Sequence, residues 1–202
     1  MKVLVFGAAG QLGQALLESA SVAGHMAIGL SRAKVDITDA HAVSVAIRAN
    51  APDAVINAAA FTAVDAAEDD CDAAFRVNSD GARNIASVCD ATGASICHVS
   101  SDYVFDGRSR IPYREDAPIN PLSVYGASKA EGETKVRDAA SRHLIVRTSW
   151  IFGQSGNNFV KAILARLGTT GLLRVIDDQT GCPTAAEDLA PALFEMLATV
   201  HQ

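Results

Sequence analysis

The stretch "KVLVFGAAGQLG", residues 2–13, opens as a short apolar run and continues into a loop with three glycines. The run has no charge after Lys2, which is typical of a strand covered on both faces. Leucines at helical spacing follow the loop, and Gly24 is expected to end that helix. The order strand, glycine loop, helix decides the fold, because it is the first unit of a repeating βα pattern.

The three glycines, Gly7, Gly10 and Gly13, are spaced as a dinucleotide site requires. One glycine lets the turn close, one lets a diphosphate approach the backbone, and one lets the helix pack against the strand. The phosphates would then lie at the helix N-terminus, where free N–H groups and the helix dipole favour anions. The alternative is a glycine-rich turn in an alanine-rich protein. The strand–turn–helix context favours dinucleotide binding.

Three further strands are expected along the first hundred residues, at "HMAIGLS" (25–31), "DAVINAAA" (53–60) and "ASICHVSSD" (94–102). Helical patterns separate them, with Thr38 or Asp39 as one cap. Strict alternation of strand and helix predicts an α/β fold, a doubly wound parallel sheet of the Rossmann type. Residues 1–150 are expected to form this dinucleotide-binding domain.

Later segments are predicted from the same periodicities. They are a long helix over 66–93 interrupted near Asn78, an irregular excursion over 103–126, a helix over 125–142, a strand over 143–153, a helix over 157–168 capped by Asn157 or Asn158, an apolar run over 172–178, and a final helix with Pro191 in its first turn.

Composition excludes several classes of function. The chain has 202 residues, 49% of them hydrophobic and 20% charged, which is an ordinary globular balance. A net charge of -6 without a basic run argues against nucleic acid as a partner. No apolar stretch reaches the roughly 18 residues needed to cross a bilayer, so no membrane span and a cytoplasmic location are expected. The four cysteines lack zinc or disulfide spacing and are expected to be buried or half-buried free thiols: Cys71, Cys89, Cys97 and Cys182.

The end of the second strand bears on cofactor choice. An NAD site usually places an acidic residue there for the ribose hydroxyls. This chain has Arg32 there, with Asp36 only further on. An arginine pairs with a 2′-phosphate, which a carboxylate repels, so NADPH is favoured and NADH is possible. The alternative for Arg32 is a solvated surface side chain.

"PLSVYGASKAEGE" contains Tyr125 and Lys129 four residues apart, so both share one helix face. An ammonium beside a phenol is expected to lower the phenol's pKa and ease proton transfer, although such a pair also arises by chance on a surface. Ser101 follows the fourth strand and is expected to orient a substrate carbonyl, with Asp102 holding a sugar hydroxyl. The alternative for these two is a turn or a helix cap. Small residues after the third strand would let a flat ligand lie close to the backbone: Ala58, Ala59 and Ala60, followed by Phe61 and Thr62.

The glycine pattern, the Ser…YxxxK set and the strand order resemble the extended short-chain dehydrogenase/reductase family. Within it, six successive stretches resemble the dTDP-4-dehydrorhamnose reductase subfamily: "NAAAFTAVDAAE", "SSDYVFDG", "YGASKAEGE", "RTSWIFG", "GNNFV" and "DDQTGCPT". The resemblance implies NADPH-dependent reduction of the 4-keto group of dTDP-6-deoxy-L-lyxo-4-hexulose to dTDP-L-rhamnose. A nucleotide sugar is thus the implied substrate, and a homodimer is possible.

The resemblance also implies positions for the site. The family's cofactor contacts fall on Gly10, Gln11, Leu12, Asp36, Ile37, Ala60, Phe61 and Thr62. Its catalytic set falls on Ser101, Tyr125 and Lys129, with serine where many members have threonine. Lys129 is also expected to hold the nicotinamide ribose. Its sugar-nucleotide contacts include Asp102, Tyr103 and Trp150, although core packing is an equal expectation for Trp150.

Two departures from the family leave alternatives open. Some members hold magnesium through a glutamate in the first helix, where this chain has Ala15, so Glu187 lacks a partner and no such metal site is expected. Members also continue well beyond residue 202, so residues 151–202 are expected to be only a remnant of the small substrate-binding portion, packed on the same domain. The alternatives are a non-catalytic NAD(P)-binding module like the regulatory β subunit of methionine adenosyltransferase, or another nucleotide-sugar epimerase or dehydratase.

Overall fold

The computed structural model describes residues 1–167 and 174–201. Five strands form the main sheet: β1 (Lys2–Phe6), β2 (Met26–Leu30), β3 (Ala54–Asn57), β4 (Ser95–Ser101) and β5 (His143–Thr148). Two short strands, β6 (Ile151–Phe152) and β7 (Thr184–Ala185), form a second parallel pair. The main sheet has the order β2-β1-β3-β4-β5 with every pair parallel, which confirms the predicted Rossmann-type α/β fold.

The helices lie on both faces of the main sheet. They are α1 (Gln11–Val22), α2 (Ala40–Asn50), α3 (Val64–Asp69), α4 (Cys71–Phe75), α5 (Ala82–Thr92), α6 (Val124–Ala139), α7 (Phe159–Leu167) and α8 (Ala186–His201). A π-helical turn (Arg76–Gly81) joins α4 to α5, and a 3-10 turn (Asp102–Val104) follows β4.

Alternate residues of β1 pack into two different cores, because successive side chains of a strand point to opposite faces. Val3 and Val5 pack with α1 and α8, whereas Leu4 and Phe6 pack with α2, α5 and α6. All four of these side chains are fully buried. Burial on both faces accounts for the uncharged run that predicted this strand.

Several predicted helix boundaries are confirmed by cap geometry. The Asp39 carboxylate accepts a hydrogen bond from the Ala42 N–H (3.0 Å), so Asp39 is the cap of α2 rather than Thr38. Gly24 has a φ of +70°, a left-handed conformation that ends the helical path just after α1. The Asn158 side chain accepts from the Lys161 N–H (3.0 Å) and caps α7. The excursion after the 3-10 turn is irregular up to α6, as expected.

Other expectations are corrected. The predicted strand over 143–153 is two strands, since Trp150 takes a left-handed φ of +46° and turns the chain out of the main sheet. The long helix over 66–93 breaks at Asp70 and widens into the π-helical turn. Pro191 lies inside α8, beyond its first turn. Residues 172–173 of the apolar run fall outside the described residues, and residues 174–178 form neither helix nor strand.

All four cysteines are free thiols. Cys89 and Cys97 are buried, as expected, and burial raises the pKa of both to about 12. Cys71 and Cys182 are exposed, so the expectation of burial is wrong for these two. Cys71 is the first residue of α4, and Cys182 lies in the segment just before β7.

Candidate functional site

The glycine loop after β1 adopts a conformation that other residues would not tolerate. Gly7 has a φ of +79°, and a Cβ there would lie 2.6 Å from the backbone of Ala58 and Ala59. A Cβ on Gly13 would lie 2.3 Å from the Gly7 carbonyl oxygen. Gly7 therefore closes the turn and Gly13 lets α1 pack against it, while Gly10 is less constrained, with its nearest contact at 3.3 Å.

Helix α1 begins without a side-chain cap. Gly10 is its cap residue and carries no side chain, so none accepts from the first N–H groups of the helix. Residues 10–13 line a cleft at this point. An uncapped helix N-terminus facing a cleft fits an anion such as a diphosphate, because free N–H groups and the helix dipole both favour negative charge.

The cleft has a volume of about 780 Å³ and runs along the carboxyl ends of the strands. Ligands bind at this edge in open parallel sheets. Every residue that the sequence predicted for the site lines it: Gly7, Gly10, Gln11, Leu12, Gly13, Arg32, Asp36, Ile37, Ala58, Ala59, Ala60, Phe61, Thr62, Ser101, Asp102, Tyr103, Tyr125, Lys129 and Trp150. The sequence did not predict other lining residues: Ala9, Val35, Ala63, Val64, Val77, Val99, Ser100, Thr148, Ile151, Gly156 and Asn157.

Arg32 and Asp36 lie together after β2. The Arg32 Nε donates to Asp36 Oδ2 (3.3 Å), and the arginine side chain is 84% exposed. Asp36 also accepts from the backbone N–H and the hydroxyl of Thr38, and the backbone bond is the main reason that its pKa is lowered. The carboxylate is thus held by its own loop, while the guanidinium remains largely in solvent at the end of the cleft.

Ser101, Tyr125 and Lys129 reach the cleft from two elements. Ser101 is the last residue of β4, and the other two lie on the first turns of α6, which the Ser123 hydroxyl caps by accepting from the Gly126 N–H (3.1 Å). Tyr125 is 9% exposed and Lys129 is 1% exposed. The helix spacing therefore brings both side chains to one buried end of the cleft, as the sequence predicted.

The sequence predicted a lowered pKa for Tyr125, but in this structure the pKa of Tyr125 is raised above its ordinary value. Burial is the main cause, because it disfavours the charged phenolate. A hydrogen bond with Ser101 lowers the pKa, and the nearby Asp102 carboxylate raises it. The phenol is consequently protonated at neutral pH and is able to give up a proton to an acceptor in the cleft.

Lys129 is fully buried and has one backbone partner. Its Nζ donates to the Val99 carbonyl oxygen (2.7 Å) on β4. Burial lowers the pKa of this lysine to about 8, and the negative charge of Glu133 opposes that shift. The ammonium is therefore the main form at neutral pH, but by a smaller margin than for a lysine in water.

Asp102 is held in place by two serines. Ser101 Oγ donates to its Oδ1 (3.1 Å) and Ser149 Oγ donates to its Oδ2 (3.0 Å). The ring of Tyr103 meets the ring of Tyr125 edge-on, with the centroids 5.5 Å apart. A carboxylate and a second phenol thus stand beside the proposed acid, where polar groups of a substrate are readily bound.

Trp150 lines the cleft and does not belong to a core. Its side chain is 44% exposed, which excludes the core-packing alternative left open by the sequence. The indole ring lies against Gly181, where a Cβ would approach within 2.7 Å. The left-handed backbone at Trp150 directs the chain from the main sheet into β6.

Asn78 is a structural part of the site that sequence reasoning did not assign. Its side chain accepts from the Phe61 N–H (2.8 Å) and donates to the Phe61 carbonyl oxygen (3.1 Å). It also donates to the Ser128 hydroxyl (2.9 Å) on α6. Asn78 thereby joins the loop after β3 to the helix that carries Tyr125. The helix interruption expected near Asn78 was the only sequence signal, and it corresponds to the π-helical turn.

The Glu187 carboxylate is hydrogen-bonded to the backbone. Its Oε1 accepts from the Gln154 N–H (2.8 Å), and this backbone bond is the main cause of its lowered pKa. Within residues 1–167 and 174–201, no group of three or more potential metal ligands is assembled. The nearby Asn158 amide donates to the Gln11 side chain (3.0 Å), which connects this segment to the glycine loop.

Comparisons with known proteins agree with this geometry. The model of a family described as RmlD substrate binding domain matches residues 1–202. The spore coat polysaccharide biosynthesis protein SpsK of Bacillus subtilis is 42% identical over 197 residues, covering 98% of this chain and 70% of that protein. The dTDP-4-dehydrorhamnose reductase of Sinorhizobium fredii is 42% identical over 194 residues, covering 96% of this chain and 65% of that enzyme.

A solved structure of dTDP-4-dehydrorhamnose reductase from Bacillus anthracis in complex with NADP superposes with a TM-score of 0.95 at 36% identity, covering 98% of this chain and 71% of that one. The chain thus spans 65–70% of the length of the two curated relatives. Among the helices described for this chain, none has the length and apolar character that a membrane span requires.

Proposed function

The chain belongs to the RmlD family of nucleotide-sugar reductases, within the extended short-chain dehydrogenase/reductases, and from this membership we propose that it reduces a 4-keto sugar nucleotide with NADPH. The proposed reaction converts dTDP-6-deoxy-L-lyxo-4-hexulose to dTDP-L-rhamnose. One observation carries the proposal: the uncapped α1 N-terminus and the side chains of Ser101, Tyr125 and Lys129 line the same cleft.

The described residues fit a dinucleotide. The positive φ of Gly7 and the close packing at Gly13 bring the backbone of the loop to the cleft without side chains in the way. The first turn of α1 would hold the diphosphate, and the small residues after β3 would lie along the flat ring systems. Bound NADPH supplies a hydride to the carbonyl carbon.

The proton for the carbonyl oxygen would come from Tyr125. Its raised pKa keeps the phenol protonated at neutral pH, and its hydroxyl lies within the hydrogen-bond network of Ser101. The Ser101 hydroxyl would orient the substrate oxygen toward Tyr125. The Lys129 ammonium would stabilise the phenolate left after proton transfer and bind ribose hydroxyls. Proton donation by a positioned group typically contributes about 10²–10⁴-fold to the rate.

The sugar nucleotide would contact the outer part of the cleft. Asp102 offers a carboxylate held by two serines, and Tyr103 and Trp150 offer aromatic surface. In this proposal residues 1–150 form the dinucleotide-binding domain, and residues 151–202 begin the substrate-binding portion and pack on the same domain. Arg32, with its exposed guanidinium, would pair with the 2′-phosphate of NADPH.

The proposal is tested with a single assay. The purified chain is mixed with NADPH and the 4-keto sugar nucleotide, and the absorbance of the reduced nicotinamide is followed. Tyr125→Phe keeps the ring and removes the proton donor, so we expect its rate to fall by about 10²-fold or more with cofactor affinity retained. Repeating the assay with NADH measures the cofactor preference.

Tyr113→Phe is the matched control. The Tyr113 hydroxyl donates to Asp106 (2.7 Å) in the irregular segment and does not line the cleft, so its removal should leave the rate unchanged. Oxidation of NADPH that is equally fast in Tyr125→Phe would contradict the catalytic assignment. Cofactor binding without oxidation in the unmodified chain would favour the non-catalytic binding module.

A cytoplasmic location and a homodimer complete the proposed picture of the working protein. The location is proposed from the kind of biosynthetic reaction, and the homodimer from the resemblance to the reductase family. Sedimentation of the purified chain, with and without NADPH, measures the oligomeric state directly.

A further inference from the structure

Glu133 is a buried carboxylate that the proposed reaction does not use. It lies one helical turn after Lys129 on α6 and is 0% exposed. Its oxygens accept four hydrogen bonds: from Ser100 Oγ (2.6 Å), Arg147 Nε (2.9 Å), Arg147 Nη2 (2.7 Å) and Arg137 Nη2 (2.8 Å). Burial opposes its ionisation, but the bonds from Arg147 and Ser100 outweigh burial and lower its pKa. The group is therefore a carboxylate at neutral pH.

This carboxylate and the Lys129 ammonium engage adjacent residues of β4. Lys129 Nζ donates to the Val99 carbonyl oxygen, and the next residue, Ser100, donates its hydroxyl to Glu133. Both Val99 and Ser100 line the cleft. Among residues 1–167 and 174–201 Lys129 forms no ion pair within 4.0 Å, so the charge of Glu133 acts on it through the buried interior. Screening by water is weak there, because both groups are buried.

The other groups around Lys129 do not replace Glu133. On β4, His98 is fully buried, and burial and the charge of Lys129 both hold its pKa well below the usual value, so it is neutral. Asn78 and Ser79 on the π-helical turn carry no charge. Tyr125 on α6 is protonated at neutral pH, and Asp102 lies beside Tyr125 on the 3-10 turn.

The two arginines carry positive charge, which disfavours the ammonium form of Lys129. Arg147 reaches Glu133 from β5, and Arg137 reaches it from the next turn of α6. The Glu133 carboxylate between them acts in the opposite direction and favours a charged lysine. Arg147 also lies over the Phe105 ring (4.9 Å), so the same network contacts the irregular segment beside the cleft.

We propose that Glu133 is a positioning residue that keeps Lys129 in its ammonium form at the base of the cleft. This inference rests on the proposed function, which needs a cation beside Tyr125 when the proton leaves. Glu133 touches no reacting atom in this scheme. It acts by its charge on Lys129 and by fixing the Ser100 side chain in the strand that carries Ser101.

The test measures the titration of Lys129 itself by nuclear magnetic resonance of the side-chain Cε and Nζ, with a Lys129→Met variant identifying the signal. Glu133→Gln keeps the shape and removes the charge. We expect the titration midpoint of Lys129 to fall by about one pH unit, a tenfold change in its acid dissociation constant. An unchanged midpoint in a folded Glu133→Gln protein would overturn the inference.

Glu131→Gln is the matched control. It removes a carboxylate from the same helix, but Glu131 is 43% exposed and pairs with Lys135 (2.8 Å) on the outer face. Its removal should leave the Lys129 midpoint unchanged. An equal fall in both variants would mean that the effect is general helix charge and would also overturn the inference.

Arg137→Gln provides a decision if Glu133→Gln fails to fold. The Arg137 side chain is 41% exposed, so we expect the protein to tolerate its removal more readily. Without this arginine, less positive charge offsets the negative charge of Glu133. The Lys129 midpoint should then rise rather than fall. A midpoint that stays or falls would contradict the inference.

Measuring titration and turnover separately distinguishes a failure of this inference from a failure of the proposed function. The titration of Lys129 is measured without substrate, so an inactive chain still reports whether Glu133 sets the charge of Lys129. In an active chain, Glu133→Gln should move the alkaline limb of the pH–rate profile to lower pH by the same amount. A merely structural role would lower the rate at every pH without moving that limb.

Discussion

A charged lysine with 1% exposure is costly, and Lys129 bears that cost at neutral pH. Its pKa of about 8 lies below the value of about 10.4 for an unfolded chain. Between these two values the unfolded chain binds more protons, so folding becomes more favourable as the pH rises. Below pH 8 both states are protonated, and the full cost of burial is present.

Lys129→Met is therefore expected to stabilise the chain at pH 7 by up to about 3 kcal/mol, less roughly 1 kcal/mol for the lost hydrogen bond to Val99. The gain should shrink as the pH rises through 8 toward 10, because the wild-type lysine then loses its proton. Urea unfolding at several pH values measures this difference. A gain that is constant with pH would show that the charge of Lys129 is not its source.

At the residue scale the sequence predicted positions better than energies. The spacing of Tyr125 and Lys129 placed both side chains at one end of the cleft, because helix geometry is local. It did not predict the pKa of Tyr125, since that depends on burial and on Asp102, whose approach requires the folded sheet. For the same reason the network of Glu133 and Arg147 was not foreseen, as its members are 14 residues apart on different elements.

The loop between β1 and α1 requires glycines, because a Cβ at some of its positions would clash with the backbone. Gly13→Ala would place a Cβ 2.3 Å from the Gly7 carbonyl oxygen, a backbone atom that cannot move aside easily. We expect a loss of roughly 3 kcal/mol in stability together with weaker NADPH binding, because the first turn of α1 must shift. Thermal unfolding and fluorescence titration with NADPH measure both effects.

Gly10→Ala is the graded comparison for that loop. Its added Cβ meets the same oxygen at 3.3 Å, which requires a shift of only a few tenths of an ångström. It should therefore cost much less stability than Gly13→Ala. Equal losses in the two variants would mean that loop strain, and not this contact, governs the element.

Elements with local signals were predicted well, and those set by distant contacts were not. The cap at Asp39, the stop at Gly24 and the uncharged run of β1 are readable from neighbouring residues. The π-helical turn is supported by bonds from Asn78 to Phe61 and Ser128, which are 17 and 50 residues away. The turn at Trp150 likewise leads into β6, which pairs with the remote strand β7.

Two large cores, one on each face of the main sheet, and a smaller cluster around Tyr125 hold the molecule together, and the last helix belongs to one of the large cores. Leu193, Phe194 and Leu197 of α8 are fully or almost fully buried with Val3, Val5 and Leu16. This packing places the end of the chain beneath the same sheet that carries the glycine loop. The segment after residue 185 is thus integral to the stability of the domain.

Phe194→Ala is expected to destabilise the chain by about 3–5 kcal/mol, since it removes a large buried side chain and leaves a cavity. Leu164→Ala on α7 is the control, because that side chain is 62% exposed and should cost less than about 0.5 kcal/mol. Chemical denaturation gives both values. Similar losses for the two would contradict the assignment of α8 to the core and α7 to the surface.

At this scale the fold class followed from the alternation of strands and helices, while the packing of α8 beside α1 did not. Alternation is a property of order along the chain, but the choice of a neighbour for α8 depends on which apolar face remains uncovered after the sheet forms. The Rossmann topology was therefore accessible from residues 1–150, and residues 151–202 were expected to pack on the same domain, whereas the position of α8 beside α1 required the structure.

The uncapped start of α1 links folding to the supply of small molecules in the surroundings. An anion that satisfies these N–H groups binds the native state and not the unfolded chain, so mass action shifts the population toward the native state. At a ligand concentration of one hundred times Kd, the free energy of unfolding rises by about 2.7 kcal/mol, a sizeable part of the whole free energy of unfolding of a typical domain. The persistence of this protein in a cell is consequently expected to track the intracellular level of its nucleotide ligand.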